Sequence, residues 1–341
     1  MKSVAIKDVK LLEVVDKEDI TSHGNDVVVK VLKAGICGSD IHNWDAGAPV
    51  GLVMGHEFCG EVINPGDRTD LNVGDRVTAL PISPCGHCEP CKSGNPQYCN
   101  HTWSEAIGLA LTNPGAFSEK LFARSDMVIK VPNTVSDSEA AMVEPTAVSL
   151  HGVNLANIEK GDKVLVIGAG IIGMGSAILA KHLGASFVAV SETNLKRGEK
   201  AVNLGVADKY YNALDPEFLN QVMTDTEGGF DKVIECCGNG PAVSSAIMSV
   251  KPGGTLVLLG VSTAPITTPL VMGVMKELTI KGGIAYTKEE FIDTLKLIED
   301  KKIDVMKFVD DVVTLDEVQE SFERLTNGTD DAIKILVDPT K

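Results

Sequence analysis

Hydrophobic and polar positions follow one rhythm in the first 147 residues of the chain. Short runs rich in valine and isoleucine alternate with turns rich in glycine, proline and aspartate, as in VVVKVLKAGI and CGEVINPGDRTDLNVGDRVTAL. Short β-branched runs bounded by turn residues are typical of antiparallel strands. We therefore predict a β-rich domain over residues 1–147.

A different rhythm runs over residues 148–284, where apolar strands alternate with helices. KVLVIGAG is an apolar strand that ends in glycines, and IIGMGSAILAKHLGA has helical spacing; SFVAVSE and LKRGEKAVNLGV repeat this pair. The runs FDKVIECCG, TLVLLGV and LTIKGG continue the strands. Strands separated by helices favour a doubly wound parallel sheet, so the fold class predicted for the chain is α/β.

The last segment, 285–341, contains an amphipathic helix (KEEFIDTLKLIEDKKI), a second helix around LDEVQESFERL and a final strand, AIKILVD. Such periodicity describes the local structure of a segment but not its neighbours in the fold. The pattern therefore leaves open which of the two domains this segment joins.

The charge balance limits the partners that the chain is expected to have. It carries 47 acidic and 31 basic side chains, a formal net charge of −16, so the phosphates of a nucleic acid or an anionic membrane would be repelled. The N-terminus lacks the apolar run of a signal peptide, and no apolar run is long enough for a transmembrane helix. We expect a cytoplasmic protein without nucleic-acid or membrane partners, whose eight cysteines are thiols and metal ligands rather than disulfides.

A glycine-rich turn of the pattern G-x-G-x-x-G follows the first strand of the second domain. Glycines at this spacing permit a tight turn, a close approach to a pyrophosphate and close packing of helix on strand. Glu192 ends the next strand, where a carboxylate accepts ribose hydroxyls and repels the extra phosphate of NADP. We therefore predict an NAD site, although Arg197 on the following helix is a cation that could accept that phosphate. The candidate cofactor-binding residues are Gly168, Gly170, Ile172, Gly173, Glu192 and Arg197.

Four cysteines lie within the fifteen-residue stretch CGHCEPCKSGNPQYC, with the spacing C-x2-C-x2-C-x7-C. Clustered thiolates at such spacing are typical ligands of zinc. A zinc ribbon that binds nucleic acid has a similar pattern, but no basic stripe flanks this cluster. We predict a metal-bound lobe over about residues 84–101, with the ligands Cys85, Cys88, Cys91 and Cys99.

Three further segments of the first domain carry candidate ligands. GICGSDIHNW, MGHEFCG and MVEPTAV together offer a thiol, imidazoles and carboxylates. Each residue alone has a purely structural explanation, but the mixed set suits zinc with one position left for a substrate. The candidates are Cys37, Ser39, Asp40, His42, His56, Glu57 and Glu144.

These motifs, in this order, give the chain a resemblance to a known family. It resembles the zinc-containing medium-chain alcohol dehydrogenases, in particular the sorbitol, butanediol and threonine dehydrogenase branch, over nearly its whole length. The resemblance implies a GroES-like β-rich catalytic domain, an inserted Rossmann domain that binds NAD, and a C-terminal segment that returns to the catalytic domain. The motifs that carry it are Gly35-Ile36-Cys37-Gly38-Ser39-Asp40, Gly55-His56-Glu57, the four clustered cysteines, Val143-Glu144-Pro145 and the glycine fingerprint.

The resemblance also implies two zinc ions per chain. The four-cysteine site would be structural, because four thiolates occupy all four coordination positions of a tetrahedral zinc ion and leave none for a substrate. At the catalytic site, Cys37 and His56 would be fixed ligands, and Asp40 would orient the imidazole of His56. Glu57 and Glu144 are both candidates for the remaining protein ligand, and the sequence leaves open which of them binds directly and which through water.

The reaction implied is oxidation of a secondary alcohol, such as a polyol or a vicinal diol, to a ketone, with hydride transfer to NAD. Zinc would act as a Lewis acid on the alcohol oxygen, and Ser39 followed by His42 would carry the proton towards solvent. A bulky alicyclic alcohol or a hydroxy amino acid such as threonine stays open as the substrate, and so does an NAD-binding zinc scaffold or sensor without turnover. A homo-oligomer, either a tetramer or a dimer, is expected from the same resemblance.

Overall fold

The chain passes twice between two structural units. The computed structural model describes residues 1–262, 264–328 and 330–341. One unit contains Met1–Pro145 and Tyr286–Lys341, and the other contains Thr146–Ala285. The boundaries expected from the sequence, after residues 147 and 284, lie two residues and one residue away from these.

The regular elements of both units are named in chain order. The strands are β1 (Lys2–Asp8), β2 (Leu11–Asp16), β3 (Val27–Gly35), β4 (Glu57–Asn64), β5 (Arg76–Ala79), β6 (Lys120–Ala123), β7 (Val128–Lys130), β8 (Lys163–Ile167), β9 (Phe187–Glu192), β10 (Lys209–Asn212), β11 (Phe230–Glu235), β12 (Val250–Leu258), β13 (Thr279–Gly282), β14 (Val309–Val313) and β15 (Lys334–Val337). The α-helices are α1 (Gly38–Ala46), α2 (Glu89–Lys92), α3 (Asp137–Ala141), α4 (Val143–Ala156), α5 (Ile171–His182), α6 (Leu195–Asn203), α7 (Phe218–Thr226), α8 (Gly240–Ser249), α9 (Leu270–Met275), α10 (Lys288–Glu299) and α11 (Val318–Thr326). Short 3-10 helices cover Pro96–Tyr98, Ser125–Met127, Val305–Phe308 and Leu315–Glu317. Within the described residues, no helix combines the length and apolar character that crossing a membrane requires.

The sheet of the first unit runs in the order β14-β15-β3-β4-β5-β7, and β6 also pairs with β3. Neighbouring strands are antiparallel, except β14 and β15, which are parallel. On one face of the central strand β3, Val27, Val29 and Val31 are fully buried, whereas Lys30 on the other face is exposed. Side chains of this sheet share one core with Phe117 and Phe322, whose rings meet edge to face at 6.1 Å. This sheet fixes the end of β3 and the start of β4, which carry the site described below.

The C-terminal segment completes that sheet. Strand β15 lies between β14 and β3, and its residues Leu336 and Val337 pair with Gly35 and Ala34 of β3. The sequence pattern alone left the place of this segment open. In the structure, its last strand is an interior strand of the first unit.

The second unit contains a parallel sheet in the order β10-β9-β8-β11-β12-β13. This is the strand order of a dinucleotide-binding fold, in which the direction of winding reverses between β8 and β11. Both strands at the reversal have apolar, fully buried residues at their centres, Val164 and Leu165 in β8 and Val233 and Ile234 in β11. In such sheets, ligands bind at the carboxyl ends of the strands beside the reversal. The predicted α/β class, with one β-rich domain and one doubly wound parallel sheet, is confirmed.

Candidate active site

A thiol, an imidazole and a carboxylate converge where β3 ends and β4 begins. Cys37 is the N-cap of α1, His56 immediately precedes β4, and Glu57 begins that strand. Because β3 and β4 are antiparallel and Gly35 pairs with Glu57, the two strand ends adjoin. Ligand atoms of Cys37, His56 and Glu57 all lie within 4.8 Å of one another. This compact set of sulfur, nitrogen and oxygen donors suits zinc.

The carboxylate of Asp40 contacts two of these residues, Cys37 and His56. Its carboxylate is fully buried, accepts a hydrogen bond from the backbone N–H of Cys37 at 2.9 Å, and lies 3.5 Å from Nδ1 of His56. Burial lowers the pKa of the His56 imidazole, but the Asp40 carboxylate and the Cys37 thiol raise it, and the net pKa is well above the ordinary value. A carboxylate beside one ring nitrogen fixes the orientation of the imidazole and leaves the other nitrogen for a metal.

Glu57 is paired with a lysine that the sequence analysis did not single out. Lys334 on β15 donates to Oε2 of Glu57, and both side chains are completely buried. The other oxygen of the carboxylate, Oε1, is buried without a hydrogen-bond partner. Burying a carboxylate oxygen without a hydrogen-bond partner lowers the stability of the folded protein, but such an oxygen is a suitable ligand for a cation. The lysine within the apolar run AIKILVD was the available signal for this pair.

Glu144 lies outside this compact group of ligands. It is in the first turn of α4, and its Oε1 accepts a hydrogen bond of 2.7 Å from the hydroxyl of Tyr286, a second residue that the sequence analysis missed. Burial raises the pKa of Glu144 to about 7, even though His56 nearby lowers it. The structure thus distinguishes the two carboxylates, because Glu57 faces Lys334 and the ligand group whereas Glu144 is held by a tyrosine.

The two residues of the predicted proton relay are placed on α1. Ser39 is half-buried, and its hydroxyl oxygen lies 3.5 Å from Nε2 of His56. His42 follows three residues later, so it shares a face of the helix with Ser39, and its side chain is exposed. The inner hydroxyl therefore lies at the ligand group, and the outer imidazole lies at the surface of the unit.

The four clustered cysteines form a separate site. Their sulfur atoms all lie within 4.8 Å of one another, and those of Cys88 and Cys91 are 3.4 Å apart. Zinc with sulfur ligands at about 2.3 Å places those sulfurs roughly 3.8 Å apart in a tetrahedron, so the cage fits this ion. Between residues 85 and 99 only Pro96, Gln97 and Cys99 are buried. The lobe therefore has little core of its own to hold its shape.

Backbone amides lower the pKa of two thiols of the lobe, Cys85 and Cys99, whereas burial and hydrogen bonds with neighbouring thiols raise the pKa of Cys88 to about 12. The N–H groups of Cys85 and His101 each donate to the sulfur of Cys99 at 3.4 Å. These bonds lower the pKa of Cys99 to about 6. The thiolate is the form that binds a metal, so the backbone around Cys99 favours its binding of a cation.

The glycine fingerprint forms the turn between β8 and α5. Gly168 has a φ of +98°, which favours glycine, and a side chain on Gly173 would strike the carbonyl oxygen of Gly168. Around Gly170 there is open space on the side where a Cβ would be, and Ile172 is half-buried in the first turn of α5. A tight turn, close packing and open space at a helix N-terminus suit the pyrophosphate of a dinucleotide.

Glu192 reaches this turn from the end of β9. One carboxylate oxygen accepts the N–H of Ala169 at 2.8 Å, and the other accepts the N–H groups of Thr193 and Asn194 at 2.7 and 3.0 Å. The carboxylate is therefore held in a fixed position beside the fingerprint. Arg197 on α6 is half-buried, and its Nε is buried without a hydrogen-bond partner. An anionic and a cationic side chain thus both lie at the predicted cofactor site.

Comparisons with known proteins extend these observations. The alcohol dehydrogenase GroES-like domain matches residues 23–133, and the zinc-binding dehydrogenase domain matches residues 172–300. L-Threonine 3-dehydrogenase of Yersinia pestis (strain Pestoides F) is 34% identical over 316 residues, which are 89% of this chain and 90% of the relative. The crystal structure of 2R,3R-butanediol dehydrogenase from Bacillus subtilis superposes with a TM-score of 0.88 at 29% identity and covers 99% of each chain. A candidate zinc-binding dehydrogenase from Sinorhizobium meliloti 1021, bound to NADP, gives a TM-score of 0.88 at 28% identity over 99% of each chain.

These matches confirm several predictions made from the sequence. The β-rich domain is GroES-like, the enzyme is an oxidoreductase that acts on a CH–OH group, and zinc and a nicotinamide dinucleotide are its cofactors. The residues that bind these cofactors stay predictions, supported by the geometry described above. The chain belongs to the family of zinc-binding medium-chain alcohol dehydrogenases.

Proposed function

We propose that the protein oxidises a secondary alcohol, a polyol or vicinal diol, to the ketone with NAD as hydride acceptor. The observation that carries this proposal is the group of Cys37, His56 and Glu57, which offers zinc three protein ligands and is separate from the closed four-cysteine cage. Relatives named for threonine and 2R,3R-butanediol support a substrate with a secondary hydroxyl. The hydroxy amino acid is therefore the second candidate.

The side chains divide the chemistry among them. When bound, zinc supplies a Lewis acid for the alcohol oxygen. Cys37, His56 and Glu57 would hold the ion directly, and Asp40 keeps the imidazole oriented. We propose that Glu144, held by Tyr286, acts through water rather than as a direct ligand, because it lies outside the compact group.

The proton of the alcohol needs a path to solvent. The Ser39 hydroxyl can accept it at the ligand group, and the exposed imidazole of His42 can pass it to solvent. Glu192 and the fingerprint glycines would hold the adenosine end and the pyrophosphate of NAD.

A screen for NAD reduction tests the proposed function. Butane-2,3-diol, sorbitol, L-threonine and cyclohexanol, each offered to the zinc-loaded protein, separate the vicinal diol, the polyol, the hydroxy amino acid and the alicyclic alcohol. We expect the highest kcat/KM for a diol or polyol. Tight NAD binding without reduction by any secondary alcohol would instead support the scaffold or sensor.

Replacing Glu192 with glutamine tests the preference for NAD. Glutamine keeps most of the shape of the side chain but removes the charge that would repel the 2′-phosphate, and close like charges cost several kcal/mol. We expect the ratio of kcat/KM for NAD to that for NADP to fall by at least about tenfold. The control is Glu199→Gln, the same charge change at an exposed position of α6. A wild-type enzyme that uses NADP more efficiently than NAD would contradict the proposal and direct attention to Arg197.

Alanine at Ser39 and at His42 tests the proton path. General acid–base catalysis typically raises the rate by about 100- to 10,000-fold, so Ser39→Ala should lower kcat strongly. His42→Ala should have the smaller effect, because solvent can reach the place of an exposed imidazole. Imidazole added to the buffer should partly restore the rate of His42→Ala but not that of Ser39→Ala. The control is His182→Ala, which removes an exposed imidazole from α5; an unchanged rate and pH profile in His42→Ala would assign His42 to the surface alone.

We propose further that the enzyme is a cytoplasmic homo-oligomer, either a dimer or a tetramer. All eight cysteines are free thiols, which suits a reducing compartment.

Strand β13 forms one edge of its sheet with all four residues exposed, and beside it α9 exposes Leu270, Val271, Val274 and Met275. An open strand edge next to apolar side chains favours pairing with a second copy. Light scattering should give two or four times the mass of the chain, and Val274→Glu should shift it towards the monomer.

A further inference from the structure

The buried pair of Lys334 and Glu57 lies directly behind the proposed zinc ligands. Lys334 is the first residue of β15, a strand that is buried at all four positions, and its side chain has no exposed surface. Its ammonium group donates to Oε2 of Glu57 and, at 2.7 Å, to the carbonyl oxygen of Ile36. Burying a charge is unfavourable unless a partner of opposite charge and further hydrogen bonds offset the loss of water. Lys334 has both.

The same pair leaves Glu57 with two unlike oxygens. Oε2 is occupied by Lys334, whereas Oε1 is buried without a hydrogen-bond partner. Glu57 is also one of the three residues whose ligand atoms lie within 4.8 Å of one another. A free carboxylate can offer a metal both oxygens, but one with an oxygen bound by an ammonium group offers a single oxygen.

The space around Oε2 is shaped for this contact. Gly35 pairs with Glu57 across β3 and β4, and a side chain at Gly35 would strike Oε2. The missing side chain therefore lets the carboxylate lie in the sheet, where Lys334 reaches it from β15 on the other side of β3. Gly35 on β3 and Lys334, which is 277 residues from Glu57 in sequence, thus fix one carboxylate oxygen together.

We propose that Lys334 is a positioning residue that keeps Glu57 from binding zinc with both oxygens. This proposal rests on the assignment of Cys37, His56 and Glu57 as zinc ligands. By retaining Oε2, Lys334 leaves only Oε1 for the ion, so that a position on zinc stays available for the substrate. The positive charge of the buried ammonium also repels the zinc ion. The affinity for zinc is therefore lower than the three protein ligands would give without Lys334.

Two consequences of this arrangement can be measured after Lys334→Met. Methionine is uncharged and similar in length, and without the ammonium Glu57 is free to turn both oxygens to zinc. We expect release of the less tightly held zinc ion to a chelator to slow by roughly 10- to 100-fold, the size of effect that outer-shell partners have on metal sites. The KM for the alcohol should rise, because the second carboxylate oxygen competes for the substrate position.

The direction of the change in zinc release distinguishes a positioning role of Lys334 from general structural damage. A loosened core would release zinc faster, whereas the proposal requires slower release. Lys334→Arg keeps the charge and should release zinc no more slowly than wild type. The control is Lys33→Met, which breaks another lysine–carboxylate pair between β3 and the C-terminal segment, that with Asp338, and should change neither zinc release nor KM.

A double variant tests whether Lys334 acts through Glu57. In Glu57→Gln, the added change Lys334→Met should no longer slow zinc release, because the carboxylate that it would free is absent. If Lys334→Met does not fold by circular dichroism, Lys334→Gln, which keeps a donor for the Ile36 carbonyl, replaces it with the same expectations. Faster or unchanged zinc release in the folded Lys334 variant, with an unchanged KM, would overturn the proposal. Zinc release is measured without substrate, so an inactive wild type would contradict the proposed function without deciding this one.

Discussion

Replacing Cys37 with serine should lower kcat/KM for alcohol oxidation by about 1,000-fold or more and leave the protein folded. Zinc contributes several kcal/mol to charge stabilisation in such reactions, and each 1.36 kcal/mol is a factor of ten in rate. A serine hydroxyl is a much poorer zinc ligand than a thiolate at neutral pH. The fold should survive, because Cys37 is the N-cap of α1, a position at which serine is among the preferred residues.

Metal analysis accompanies this measurement. Wild-type protein should contain two zinc ions per chain, and Cys37→Ser should contain about one. Cys59→Ser is the matched control, because Cys59 is buried in the same unit but lies outside both cysteine-containing groups. Burial raises the pKa of the Cys59 thiol to about 12. An active Cys37→Ser enzyme that keeps both ions would refute the assignment of the catalytic site.

Replacing Cys91 with serine should have the opposite profile, a large loss of stability. Loss of a structural metal is among the few single changes that cost about 4 kcal/mol or more. The lobe of residues 85 to 99 depends on the cage because it buries only three of its residues. We expect a clear fall in the thermal midpoint of the zinc-loaded protein, measured by calorimetry, and increased proteolysis within the lobe.

His87→Ala is the control for Cys91→Ser. His87 is exposed beside the cage, and its Nδ1 contacts the carbonyl oxygen of Cys85 at 2.9 Å, but four thiolates leave it no position on the ion. Its removal should change the thermal midpoint little. Equal stability of Cys91→Ser and wild type, with the same zinc content, would show that the cage is not a structural metal site.

Local patterns predicted the parts of this molecule that depend on neighbours in sequence. The parallel sheet follows from apolar runs between helices, and the fingerprint turn follows from Gly168, whose φ of +98° favours glycine. The four-cysteine cage is equally local, because its ligands lie within fifteen residues. Each of these features is determined by side-chain type at short spacing, which one sequence displays directly.

The contacts that distinguish Glu57 from Glu144 could not be predicted in this way. Glu57 is paired with Lys334 and Glu144 with Tyr286, and these partners are 277 and 142 residues away in sequence. Neither partner belongs to a motif, and a lysine in an apolar strand does not reveal which carboxylate it meets. Such pairs depend on the order of strands in the sheet, in particular on the insertion of β15 beside β3, which periodicity leaves undetermined.

The interior position of β15 also has a consequence for synthesis of the chain on the ribosome. Residues 146–285 form a continuous unit that can fold as it emerges, but the sheet of the other unit lacks an interior strand until residues 334–337 have been made. At about 5 to 20 residues per second, the 277 residues from Glu57 to Lys334 take roughly 14 to 55 seconds to synthesise. During that interval the end of β3, at Ala34 and Gly35, lacks the strand that pairs with it there, although β6 already pairs with residues 27–30. The carboxylate of Glu57 also lacks its partner Lys334. We therefore expect the incomplete chain to expose this strand end and an unpaired carboxylate, which favour aggregation and capture of metal ions until β15 has been made.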